Sequence, residues 1–113
     1  MNFEAQQTKT EKEINDPALV DLYRHAQDMG NKNVSLETIK STAEEISQKL
    51  SELGAMNLPP ESKLGEAYLS ASKVGESYQD VEQAQSAMQR ISTLISESDG
   101  FTDASEKWKE NQG

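Results

Sequence analysis

From residue 36 to residue 53 the apolar positions Leu36, Ile39, Ala43, Ile46, Leu50 and Leu53 recur in steps of three and four, the narrow seam of a coiled coil. Ser35 stands just ahead as an N-cap, with Val34 and Ile39 placed as a hydrophobic staple across it. Gly54 is the natural stop, and "AMNLPPES" is a turn because Pro59 and Pro60 each disfavour helical geometry in the residue before them. The spacing therefore predicts a helix over 35–53. An earlier helix is predicted over 17–29, with Asp16 as N-cap and Pro17 in the first helical position, where its missing N–H costs nothing. Leu19, Leu22, Tyr23, Ala26 and Met29 share one face of it, and Gly30 offers the left-handed conformation that ends many helices.

A third stripe starts after Ser62. Leu64, Ala67, Ala71, Val74, Tyr78 and Val81 keep the three-four alternation, after which Ala84, Met88, Ile91 and Ile95 carry it on in a shifted register. Read as one helix over 62–98, this arm is about 55 Å long and the 35–53 helix only about 27 Å, at 1.5 Å per residue. Folding back at Pro59–Pro60 sets 36–53 beside 64–81, the Gly30–Asn33 break beside Gln83 and Gln85, and 17–29 beside 87–98. The expectation is an all-α fold: an elongated antiparallel helical hairpin over 16–98 with a broken first arm and coiled-coil-like packing. The alternative is a three-helix bundle, which would leave one end of the long stripe bare and convert it into an oligomer interface.

Outside 16–98 the pattern fades. Residues 1–15 carry only Phe3 and Ile14 as sizeable apolar residues, too few to offset the entropy of ordering, and read as a disordered tail. Residues 99–113 read as an acidic tail able to form one helical turn after Thr102, with Trp108 as its anchor.

Apolar residues make up 34% of the chain and aromatics 5%, which predicts a thin core. The net charge of −9 is spread along the sequence without a basic patch. Neutralising phosphates takes clustered Lys and Arg, so neither nucleic acid nor an anionic membrane is an expected partner. With no cysteine, disulfides, thiolate catalysis and cysteine-ligated zinc are excluded. No apolar run approaches the length of a membrane span, and no basic segment precedes an apolar leader. The expected location is cytoplasmic, or outside the cell by export without a cleaved signal peptide.

The stretch "ISESDGFTDASE", Ile95 to Glu106, is the nearest approach to a chemical motif. With Gly100 as the sixth residue of a calcium loop, Glu97, Asp99, Asp103 and Glu106 take the third, fifth, ninth and twelfth places, but the first falls on Ile95, which has no oxygen to offer. The reading is a helix end followed by solvated acids, with Glu97, Asp99 and Asp103 left as the residues of a lesser cation site; no metal or cofactor is expected. His25 is the single histidine and reads as a surface residue. Glu44 and Glu45 point about 100° apart on a helix and cannot flank a scissile bond together, while Glu45 and Lys49 suit an exposed pair. No catalytic residue emerges. Gly75 and Ala71 form a small-x-x-x-small pair that permits close approach of another helix. With Gly75, the candidate partner contacts are Leu69, Met88, Ile91, Leu94 and Trp108.

These features predict a non-enzymatic helical interaction module. The expected roles are adaptor, chaperone or secretion-associated partner, completing a thin core against another helical subunit in a homo- or hetero-oligomer. Alternatives are a structural subunit of a virion or secretion apparatus, and an acidic protein that responds to calcium. In length, acidity and shape, residues 17–98 resemble the small helical-hairpin proteins of type VII secretion, which implies an exported dimeric hairpin. The turn "LGAMNLPPES" lacks the Trp-x-Gly of that family, and Tyr78 with Glu82 echoes only part of its tyrosine-to-acid export motif.

Overall fold

The computed structural model describes residues 10–112. Among them are five α-helices: α1 (Ala18–Asn31), α2 (Leu36–Leu53), α3 (Lys63–Ser77), α4 (Val81–Glu97) and α5 (Phe101–Gln112). The described residues contain no strand, so the all-α class holds. Helix starts follow the capping signals. The Asp16 carboxylate accepts from Ala18 N at 2.8 Å, and Pro17 already has helical dihedrals (φ −57°, ψ −18°). The Ser35 hydroxyl accepts from Thr38 N at 3.2 Å and that of Ser62 from Gly65 N at 3.1 Å. Gly54 closes α2 in the left-handed region at φ 106°, where a side chain would be strained.

Both expected pairings are present: α2 packs on α3 across the Pro59–Pro60 turn, and α1 packs on α4. The second arm, however, is two helices rather than one over 62–98. Tyr78 (φ −71°, ψ 137°) leaves helical geometry, and Asp80 restarts the chain as the N-cap of α4, its carboxylate accepting from Glu82 N at 2.8 Å. The shift of register between Val81 and Ala84 marks this break. In one straight helix the two stripes would face different directions; interrupted at 78–80, Leu64, Ala67, Ala71 and Val74 share one core with Ala84, Met88, Ile91 and Ile95.

At that elbow α4 turns back along α3. The start of α3 therefore meets the end of α4, where Lys63 and Glu97 pair at 3.3 Å, and Arg90 pairs with Glu66. The elongated hairpin becomes a compact slab with principal extents of 49 × 38 × 18 Å. Its radius of gyration is 14.2 Å, near the roughly 13 Å expected of a compact chain this long. A single apolar cluster takes side chains from every helix and from Ile14.

Residues 10–15 and 99–112, the described parts of the two ends, depart from the expected tails. Residues 1–9 and 113 lie outside the described residues, but Glu11–Glu13 form a single 3-10 turn and Ile14 is 2% exposed. Glu11 holds this segment down, its two carboxylate oxygens accepting from Leu64 N at 3.2 Å and Asp99 N at 2.9 Å. The acidic 99–112 segment is not a tail with one helical turn: α5 lies on α1 with Ala104 fully buried. Aromatic contacts explain the docking. The rings of Tyr23 and Phe101 meet edge to face at 5.5 Å, and the Arg24 guanidinium lies 5.3 Å from the Trp108 ring centre.

Candidate protein-interaction surface

The calcium reading fails on backbone grounds. A twelve-residue loop over 95–106 is impossible, because those residues are the last turn of α4, a three-residue connection and the first half of α5. Glu97 is engaged with Lys63 across the α3–α4 seam. Among the described residues no group of three acidic or histidine side chains is placed to hold a metal. His25 is exposed, as expected, in a groove between α1 and α2 that Asp21, Glu45 and Glu52 also line. Lys49 pairs with Glu52 at 3.3 Å rather than with Glu45, an exposed contact of little energetic weight.

The six candidate contact residues separate into two groups. Met88 and Ile91 are fully buried and Leu94 is 4% exposed, all within the chain's own core. They belong to the apolar cluster that α4 shares with α1 and α3, the two helices it packs against. Gly75 does admit a close neighbour, but that neighbour belongs to the same chain: a Cβ there would lie 2.6 Å from Glu44 Cγ of α2. These four are therefore not available to a partner in the folded chain. Leu69 and Trp108 remain at the surface.

Leu69 is 50% exposed, and among the described residues the one large apolar side chain more exposed than it is Met56, at 55%. Both line a notch of about 210 Å³ with Ala55, Leu58, Pro60, Gly65 and Tyr68. The α2–α3 connection builds it. Gly54 reverses the chain, Ala55–Asn57 form a 3-10 turn that turns Met56 outward, and Leu58 is drawn into the core, leaving Met56 opposite Leu69 on α3. Gly65 forms the floor because no side chain fits there, a Cβ falling 2.3 Å from Pro59 O. The Met56 sulfur accepts from the Ser51 hydroxyl at 2.9 Å. A thioether and a leucine beside a tyrosine ring make a deformable apolar seat that can accept side chains of several shapes.

Sequence reasoning missed Met56, which stands in a turn and has no place in a helical stripe. A further set of residues was legible only in part. The carbonyls at the end of α1 lack intrahelical donors. Gln85 donates to Met29 O at 3.1 Å and Lys32 O at 2.6 Å, and Gln89 donates to Gly30 O at 2.7 Å. Gln85 was expected beside this break, but as a gap in the apolar seam; its role is to satisfy the helix end.

The fold thus defines a small all-α bundle with an apolar notch at one end. Comparison with known proteins returns no matching family, no similar curated protein and no similar solved structure. The resemblance to the type VII hairpins loses its basis in shape, since it needs one long second arm where this chain has α3 and α4 folded together.

Proposed function

We propose that this protein is a non-enzymatic helical interaction module, an adaptor, chaperone or secretion-associated partner. Its notch at the α2–α3 turn receives an apolar side chain from a helix of another subunit. The observation that carries this reading is the juxtaposition in one notch of Met56 and Leu69, the two most exposed large apolar side chains among the described residues. Two large apolar side chains left in water side by side are a common mark of a contact surface; the third exposed one among the described residues, Val81 at 38%, stands apart at the start of α4. The thin-core argument takes a different form accordingly: the partner does not complete the fold but docks on a core already closed.

Such a contact is small, and the test separates a second copy of the chain from another helical protein as its partner. A photo-crosslinking residue at position 69, and in a parallel variant at Glu37 on α2, is introduced into the full chain in its native cell and alone in solution. Crosslinks from position 69 but not from 37 uphold the reading, and the mass of the adduct identifies a homo- or hetero-oligomer. Absence of a specific adduct from position 69 in both settings rejects it.

A further inference from the structure

We propose that the groove between α1 and α5 binds a small aromatic carboxylate, with its ring against Tyr23, Phe101 and Trp108 and its anionic end at Arg24 and Lys109. The site lies apart from the Met56–Leu69 notch, and the inference does not depend on that reading. Throughout, α5 stays docked on α1 and forms one wall. Its docking leaves room. Phe101 meets Tyr23 edge to face at 5.5 Å, the Trp108 indole N–H donates to Asp21 Oδ1 at 3.2 Å, and among the described α5 side chains Ala104 alone is buried. Beside these contacts a groove of about 470 Å³ stays open, with Val20 and the three aromatic side chains in its lining. That volume falls within the range of small-ligand pockets, roughly 300–1,000 Å³, which are mostly apolar with a few placed polar groups.

Charge specifies the occupant. The chain carries 20 acidic and 11 basic residues, yet this groove is lined by two cations, Arg24 and Lys109, and by no carboxylate; its remaining polar lining, Gln27 and Ser105, is uncharged. The acids nearest in sequence do not neutralise the pair. Asp21 accepts from Trp108, Asp28 pairs with Lys32 at 3.5 Å, and Glu106 and Glu110 are exposed outside the lining. Among the described residues neither Arg24 nor Lys109 forms an ion pair. The Arg24 guanidinium is held 5.3 Å from the Trp108 ring centre. Stacking on a ring occupies the face of a guanidinium and leaves its in-plane N–H donors free to grip a carboxylate. Lys109 follows Trp108 in the chain and adds a second positive charge at the same end. The body of the ligand follows from the walls: three of the chain's six aromatic residues line the groove, and offset or edge-to-face contacts with rings favour a flat aromatic body over an aliphatic one. A single negative charge suits a protein of net charge −9, whose field repels a dianion more strongly.

Trp108 is the single tryptophan of the chain, so its indole N–H gives one NMR resonance at the site. Naphthoate, a fused-ring carboxylate, is titrated into the full chain labelled with heavy nitrogen, and that resonance is followed together with the amides of Tyr23 and Ser105. The expected result is a saturable shift of all three with one Kd below about 1 mM. The corresponding naphthyl alcohol, which keeps the rings and lacks the charge, should bind about tenfold more weakly. Lys109→Gln should weaken naphthoate about fivefold, the loss of one charge at an open site, and Arg24→Gln by more. If Arg24→Gln releases α5, Lys109→Gln decides, because no ion pair among the described residues depends on Lys109. Leu69→Glu should leave the affinity unchanged. Absence of a saturable shift up to about 5 mM naphthoate would overturn the proposal, as would equal affinity for the alcohol or unchanged affinity in Lys109→Gln. Hexanoate binding as tightly as naphthoate would overturn the aromatic choice, and shifts abolished by Leu69→Glu would place the ligand at the notch instead.

Discussion

Gln89 and Gly30 hold α4 against the end of α1 in two ways at once: the Gln89 amide donates to Gly30 O at 2.7 Å, and a Cβ on Gly30 would lie 2.5 Å from Gln89 Cγ. The glycine is helical and buried, not the left-handed terminator its position suggests, and the α4 backbone passes close beside it. Intrinsic propensity alone would make Gly30→Ala stabilising by about 1 kcal/mol. Overpacking of a tight site costs about 1–3 kcal/mol, and the nearby Gln89 N and Gln85 O, at 3.1 and 3.2 Å from that Cβ, leave little room for relief. Net destabilisation is expected, read as a lower urea midpoint with an unchanged slope.

Glu11 joins three distant parts of the chain through one carboxylate, accepting from Leu64 N in the first turn of α3 and from Asp99 N after α4. Hydrogen bonds to a charged group contribute about 1.5–3 kcal/mol each in favourable cases. Partial exposure of Glu11 reduces that, and Glu11→Ala is expected to cost about 1–3 kcal/mol in total. Glu11→Gln should lose less, retaining one acceptor oxygen. Hydrogen exchange at the amides of Leu64 and Asp99 localises the effect, and unchanged protection there in Glu11→Ala would contradict the role.

Asp80 is the residue that turns one predicted helix into two. Its side chain caps α4 by accepting from Glu82 N at 2.8 Å. Removing an N-cap oxygen costs about 0.5–2 kcal/mol, so Asp80→Ala should lower the melting temperature by a few degrees. Asp80→Asn, which preserves the cap, should restore most of it. Equal losses in both variants would mean that the cap is not what fixes the start of α4.

Much of this architecture was legible from spacing. The α2 seam, the caps at Asp16 and Ser35, the start of α3 after Ser62, the stop at Gly54 and both antiparallel pairings follow from local rules that tertiary packing did not override. The elbow at 78–80 was also written in the sequence, as the register shift after Val81 and the N-cap type at Asp80. Its signal was ambiguous, because the same shift also matched the break after Gly30 in the other arm. Docking of Ile14 and α5 was not legible. Each depends on a few long-range contacts, Glu11 with Leu64 and Trp108 with Asp21, that leave no period in the local sequence. The notch was half legible: Leu69 stands off its helical stripe, whereas Met56 becomes its neighbour only once the turn is built.

Calcium at millimolar concentration is expected to leave both helicity and melting temperature unchanged. Asp99 lies in a three-residue connection and Glu97 is turned toward Lys63, so binding would require unwinding a helix end. Any ligand that binds only the folded state raises its stability in proportion to the logarithm of ligand over Kd. A calcium-dependent rise in melting temperature, lost in Asp99→Asn, would revive the cation site.

Ile91 separates a core role from a contact role. It is fully buried, in a cluster with Met88, Ile95 and residues of the other helices. Truncation to alanine removes apolar burial and leaves a cavity, a loss of about 2–4 kcal/mol for a site that cannot collapse. Ile91→Ala is therefore expected to unfold at a clearly lower urea midpoint while its mass in solution stays that of the parent. Leu69→Ala, at half-exposed Leu69, should show the reverse: stability within about 0.5 kcal/mol of the parent, as for surface substitutions generally, and any change confined to association. Measuring both midpoints and both masses across the same concentration range makes the contrast decisive. A stable Ile91→Ala chain with altered mass would place the long apolar stripe at an interface between molecules, and the intramolecular packing of α4 on α1 and α3 would have to be abandoned.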